Sequence, residues 1–164
     1  MTPDSSPAFP TPFERGNHNQ TTDWASCITF YEDLARHFPA VLRFFPIGVS
    51  DSGITMHAGL VSADGVFDRE QIQQAQRPVF FNNNGIHPGE PEGIDACMAL
   101  VRDFCTQPER LAALGTTVFL FIPVYNVDGC LNRQSTSRVN QVGPEDFGFR
   151  ANGRNLDLNR DFIK

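Results

Sequence analysis

Residues 77–90, RPVFFNNNGIHPGE, pass from a short apolar stretch directly into polar residues, a glycine and the pair His87 and Glu90. Residues 77–81, from Arg77 through Pro78, Val79 and Phe80 to Phe81, read as a short buried strand bounded by turn-forming residues. Behind them, residues 92–105 place Ile94, Cys97, Met98, Val101 and Phe104 or Cys105 on one face at helical spacing. Residues 116–124, TTVFLFIPV, are almost wholly apolar and of strand length, the pattern of a strand covered on both faces. Strand, helix and strand in this order predict a parallel pair within an α/β sheet. Ligand-bearing side chains in such sheets gather where strands end, which makes 82–90 the first candidate site.

Upstream, Trp24, Ile28, Tyr31, Leu34 or Ala35 and Phe38 recur at helical spacing behind an Asp23 cap, and Pro39 stops the run. Two β-type stretches, 41–49 and 54–62, flank Ser50-Asp51-Ser52-Gly53 and predict an antiparallel hairpin. Residues 1–22 are rich in Pro, Ser, Thr and Asn without periodicity and read as an extended lead-in; 23–164 form the globular part. Asn19-Gln20-Thr21 fits a glycosylation sequon and, without a signal segment, reads as a chance match. Downstream, 126–155 show no clear period, and a loop of that length inside a compact domain is usually functional or disordered.

With 164 residues, a formal charge of −6 and 40% hydrophobic residues, the chain has the size and composition of ordinary globular sequence. The acidic balance without Lys/Arg runs argues against nucleic acid as a partner, and the lack of long apolar runs argues against a membrane span. The first 24 residues have neither a basic nor an apolar leader region, so the expectation is a cytoplasmic location by default, the true compartment being unknown. Cys27, Cys97, Cys105 and Cys130 lack a C-x-x-C pair and read as small buried hydrophobes.

Two clusters carry chemistry. His87-Pro88-Gly89-Glu90 is an H-x-x-E at a strand end, and a tight Pro-Gly turn can aim an imidazole nitrogen and a carboxylate oxygen at one point, a donor pair suited to Zn²⁺. Read alone, the pattern is weak and is better taken as a loop histidine beside a glutamate that favours a helix start. The second cluster, residues 149–162, FRANGRNLDLNRDF, sets arginine forks and asparagines in a glycine-containing loop, which suits the anionic end of a substrate or a solvated basic loop. Between them, Asn126-Val127-Asp128-Gly129 follows the second strand.

The three marks in this order resemble the zinc carboxypeptidases of the carboxypeptidase A/B type, over roughly residue 22 to the end. The resemblance implies a mixed parallel/antiparallel sheet with helices on both faces, a three-layer zinc-peptidase-like sandwich, incomplete at the C-terminus. It implies His87 and Glu90 as ligands of one Zn²⁺, Asn159 and Arg160 of the D-L-N-R segment as holders of the substrate's C-terminal carboxylate, and Arg150, ten residues before the D-L-N-R arginine and better placed than Arg138 or Arg154, as the arginine that polarises the scissile carbonyl. Asn126-Val127-Asp128-Gly129 stands where the family has N-P-D-G. The expected reaction is zinc-assisted hydrolysis of the last peptide bond of a peptide or peptide-like substrate. In the family a third histidine ligand, a tyrosine and a glutamate base come after D-L-N-R, beyond Lys164 here; His18, His37 and His57 have no evident route to His87. The chain therefore resembles the N-terminal part of the catalytic domain, and the expectation is that these 164 residues bind zinc weakly and have no turnover alone.

A related group, the aspartoacylase and succinylglutamate desuccinylase amidohydrolases, shares an H-G-x-E and a D-L-N-R but sets them closer together than His87 and Asn159. A different class, a non-catalytic module binding peptide C-termini, is the third reading.

Overall fold

The computed structural model describes residues 8–16 and 18–160. Its framework is a four-stranded mixed sheet made of β1 (Leu42–Val49), β2 (Thr55–Val61), β3 (Val79–Asn83) and β4 (Val118–Ile122) in the order β1-β2-β4-β3. β1 and β2 form the expected antiparallel hairpin, closed by Ser50 N donating to Ile54 O and by Gly53 in a left-handed conformation. β2 runs antiparallel to β4, and β3 runs parallel to β4 with Val79 opposite Val118 and Asn83 opposite Ile122.

α2 (Trp24–His37) begins where expected: the Asp23 carboxylate accepts from Ser26 N at 2.8 Å, a cap that contributes about 1 kcal/mol. α4 (Glu92–Thr106) buries Ile94, Cys97, Met98, Val101 and Cys105, the stripe read from the sequence. Both helices contribute to the core that contains Phe119 and Phe121 of β4 and Leu42 and Val61 of the hairpin. Tyr31 of α2 stacks on Phe44 at 5.3 Å and meets Phe121 at 4.9 Å. Gly59 lies beneath the Phe121 ring, where a Cβ would come within 2.2 Å of it. All four cysteines are buried and unpaired, as their spacing suggested.

The lead-in is not simply extended. Residues 1–7 lie outside the description, but Pro12–Arg15 form a helical turn, α1, because Thr11 and Glu14 close a reciprocal capping box and Pro12 presets the first helical position. Glu14 then accepts two bonds from the buried Arg102 of α4, at 2.6 and 2.8 Å, which fastens α1 to the core. One further short helix escapes the periodicity reading, α3 (Arg69–Gln74), capped by Asp68; another, α5 (Pro108–Ala112), follows α4.

β3 also departs from expectation. It begins at Val79 rather than Arg77, and Val79, Phe80 and Phe81 are 50%, 61% and 53% exposed instead of buried. The reason is topological: among the described residues β3 is an edge strand, paired with β4 alone. Among those residues no helix is long and apolar enough to cross a membrane.

Candidate active site

Pairing between β3 and β4 continues past their ends. Asn84 N donates to Ile122 O, Tyr125 N to Asn84 O and Asn126 N to Gly85 O, so the segments leaving both strands travel side by side. Gly85 takes φ +64°, and a Cβ there would lie 3.0 Å from Ile94 Cδ1, so conformation and space both require glycine. The chain then enters the His87-Pro88-Gly89-Glu90 turn, closed by Glu90 N donating to His87 O at 2.8 Å.

His87 is buried, with Nε2 2.7 Å from Asp157 Oδ1 and Nδ1 3.8 Å from Glu90 Oε1. With Nε2 committed to a carboxylate, Nδ1 is the ring atom left to present a lone pair, and it faces the glutamate. Glu90 Oε1 also accepts from Arg138 Nη1 at 2.6 Å, and this bond holds the Glu90 carboxyl below its ordinary range. Arg138 rests on Gly89, where a Cβ would come within 2.8 Å of its Cδ. The same loop is fastened by Gln141 Nε2 donating to Gly89 O and Gly148 N to Pro88 O.

Asp157 binds on both oxygens. Oδ1 faces His87 and accepts from Asn159 N; Oδ2 accepts from Arg150 Nε at 2.9 Å. The His87 and Arg150 bonds hold its carboxyl well below the usual range, so Asp157 is an anion between two nitrogen donors at neutral pH. His87, Glu90 and Arg150 are thus brought together, although Arg150 reaches His87 only through Asp157. Asn159 and Arg160 follow in a 3₁₀ turn, Leu158–Arg160, where both are exposed and Arg160 Nη1 donates to Asn159 O.

The loop read as aperiodic contains α6 (Val127–Leu131), capped by Asn126. Phe149 N donates to Gly129 O at 2.7 Å and Gly153 N to Asp128 Oδ2, seating the arginine loop on this helix. Ser50 and Asp51 of the hairpin turn complete the seat: Ser50 Oγ donates to Asp128 Oδ1 at 2.6 Å, and Asp51 pairs with Arg154 at 3.0 Å. Arg154 is therefore spent on the hairpin.

One site residue was not singled out from the sequence: Asp157 stands inside the quoted D-L-N-R, whose asparagine and arginine drew the attention. Arg138, set behind Arg150 for the carbonyl-polarising role, instead bonds Glu90, 48 positions away, a pairing that leaves no local signal. The nitrogen and oxygen donors of His87 and Glu90 are chemically suited to zinc. Among the described residues no three His, Cys, Asp or Glu side chains form a group able to hold a metal ion; His57 instead stacks on Phe44 at 5.2 Å, and His37 Nδ1 lies 2.8 Å from Asp33 O.

Comparison with known proteins identifies the family and the fold. The family profile described as zinc carboxypeptidase matches residues 27–164. Carboxypeptidase D of Anas platyrhynchos is 27% identical over 137 residues, which are 81% of this chain and 9% of that protein; carboxypeptidase D of Homo sapiens is 24% identical with the same coverage. The metallo-carboxypeptidase of Burkholderia cenocepacia shares the fold at TM-score 0.62 and 15% identity, over 87% of this chain and 33% of that one. The chain thus spans about a tenth of the length of the curated relatives it matches.

Proposed function

The chain belongs to the zinc carboxypeptidase family, and from that premise we propose that it supplies the His87/Glu90 part of a zinc site, together with the groups that hold a peptide's C-terminal end, in a metallocarboxypeptidase. The observation that carries this reading is the convergence of His87 Nδ1 and Glu90 Oε1 at 3.8 Å, with Nε2 of the same ring anchored to Asp157. His87 and Glu90 would hold the ion. When bound, zinc supplies Lewis acidity to the scissile carbonyl and to water.

The remaining work falls to the chain's own side chains. Asp157 fixes the plane of the His87 ring and keeps its Nε2 proton in place. Arg150 spends Nε and Nη2 on Asp157 while its side chain stays 42% exposed, leaving guanidinium surface for the negative charge that develops on the scissile oxygen. Asn159 and Arg160, one turn further on and exposed, offer an amide and a planar fork to a free carboxylate, which restricts the substrate to chain ends. Peptides with a free C-terminal carboxylate are therefore the proposed substrates.

The test is hydrolysis, in the presence of zinc, of a blocked dipeptide and of N-acyl amino acids by a polypeptide carrying this segment. Release of the C-terminal residue, lost on Glu90→Gln, is expected. Cleavage of N-acyl amino acids alone would overturn the reading in favour of an amidohydrolase. Binding of the dipeptide without turnover would make the protein a recognition module.

A further inference from the structure

We propose that Asn126 is a positioning residue that holds the His87 turn in register with the Arg150 loop. Its side chain is 1% exposed, and both ends of the amide are used. Oδ1 accepts from Gly129 N at 2.9 Å and caps α6. Nδ2 donates to Arg150 O at 3.0 Å and to Ile86 O at 3.4 Å. Ile86 directly precedes His87, so one amide group ties the backbone beside the proposed ligand to the backbone of the proposed charge-receiving arginine.

This tie is matched by a second one. Asp157 joins the side chains of the same two residues, His87 and Arg150. Backbone and side chain are thus each held by a separate group, and neither ring nor guanidinium is free to shift alone. The joint is tight: a Cβ at Gly129 would meet Phe149 O at 2.4 Å and Asn126 Nδ2 at 2.6 Å. Only an amide of this length presents an acceptor towards α6 and two donors towards the loops. A carboxylate would keep the cap and set an anion against two carbonyls, whereas a serine would keep the cap and fall short of them. Asn126 touches no substrate; it acts through the residues it aligns, and the inference rests on the roles proposed for His87 and Arg150.

Hydrogen exchange on the 164-residue chain tests it with two variants. Asn126→Ser retains the cap, so residues 127–131 should stay protected while peptides spanning 85–90 and 148–157 exchange about tenfold faster. Asn126→Ala should lose protection in all three segments. The proposal is overturned if Asn126→Ser leaves both loops protected, frees only one of them, or loosens the chain evenly. Should Asn126→Ser not fold, Asn126→Asp, which also keeps the cap, is read by the same three segments. In a polypeptide with turnover, Asn126→Ser should lower kcat and leave KM nearly unchanged, a split that a general loss of folding would not give. Absence of turnover in the unsubstituted protein would count against the carboxypeptidase reading and leave the exchange result to decide the role of Asn126.

Discussion

Nε2 of His87 lies 2.7 Å from Oδ1 of Asp157, which leaves the opposite ring nitrogen directed at Glu90. A histidine anchored through a carboxylate in this way is more basic and better oriented as a ligand, and loss of such a partner typically costs about 10- to 100-fold in metal affinity. Asp157→Asn should weaken zinc binding by the chain moderately, because an amide oxygen can still accept from Nε2, and Asp157→Ala should weaken it further. Competition with a chromophoric chelator measures both. Equal affinity for the unsubstituted chain and Asp157→Ala would remove Asp157 from the site.

Acid should weaken the fold through the same carboxylates. Glu90 is held below its ordinary 4.5 first by the Arg138 bond, and Asp157 below its ordinary 3.8 first by the His87 bond. A folded-state pKa below the unfolded one gives stability that is complete above the unfolded value and is lost as pH falls through the folded one. Glu90 is half exposed, so its share is under about 1 kcal/mol. Asp95 runs the other way, since burial raises its pKa and protonation relieves it. Unfolding midpoints between roughly pH 6 and pH 3 should therefore fall less steeply for Arg138→Gln and Asp157→Asn than for the unsubstituted chain. Superimposable curves would mean that neither bond contributes.

Gly59 makes the sheet face that receives Phe121. An alanine methyl there would sit 2.2 Å from a ring that also packs on Tyr31 and Phe119. Overpacking of this kind costs about 1–3 kcal/mol. Urea unfolding of Gly59→Ala should show a lower midpoint with an unchanged slope. An unchanged midpoint would show that the ring can move aside.

These cases mark what the amino-acid order reveals. The α2 and α4 stripes and the apolar β4 run were readable because each is a local pattern set against the core, and the hairpin because Ser50-Asp51-Ser52-Gly53 marks its turn. His87 and Glu90 were readable because a three-residue turn brings them together. Exposure of β3 was not, since Val79, Phe80 and Phe81 have the composition of a covered strand and only the strand order places them at an edge. The pairing of Arg138 with Glu90 was invisible for a related reason: it depends on how a distant loop folds over Gly89. The capping box of α1 could have been read from Thr11-x-x-Glu14, but the prolines around it hid the turn.

The exposed β3 strand should make the isolated chain associate with itself. Unpaired backbone groups beside three half-exposed apolar side chains are a template for strand addition. A lysine at Phe81 puts a solvated charge on that strand without touching a buried position. Light scattering against concentration should show association for the unsubstituted chain and a clear reduction for Phe81→Lys. Equal association would place the contact elsewhere.

Recognition of a chain end can be separated from catalysis on the same 164 residues. Arg160 is exposed and carries a planar fork, and a charged hydrogen bond to a carboxylate is worth about 1.5–3 kcal/mol, roughly 10- to 100-fold in affinity. Arg160→Ala should therefore weaken binding of a blocked dipeptide with a free carboxylate by about that factor, and its effect should shrink as salt is raised. The amidated dipeptide lacks the anion and should bind both proteins equally weakly. Arg150→Gln provides the contrast: with two of its nitrogens turned to Asp157, its loss should change dipeptide affinity by less than about threefold while abolishing most turnover wherever turnover is present. NMR titration of the chain reads the first effect directly. Equal losses for free and amidated dipeptide on Arg160→Ala would mean that this arginine supports the loop and does not hold the carboxylate.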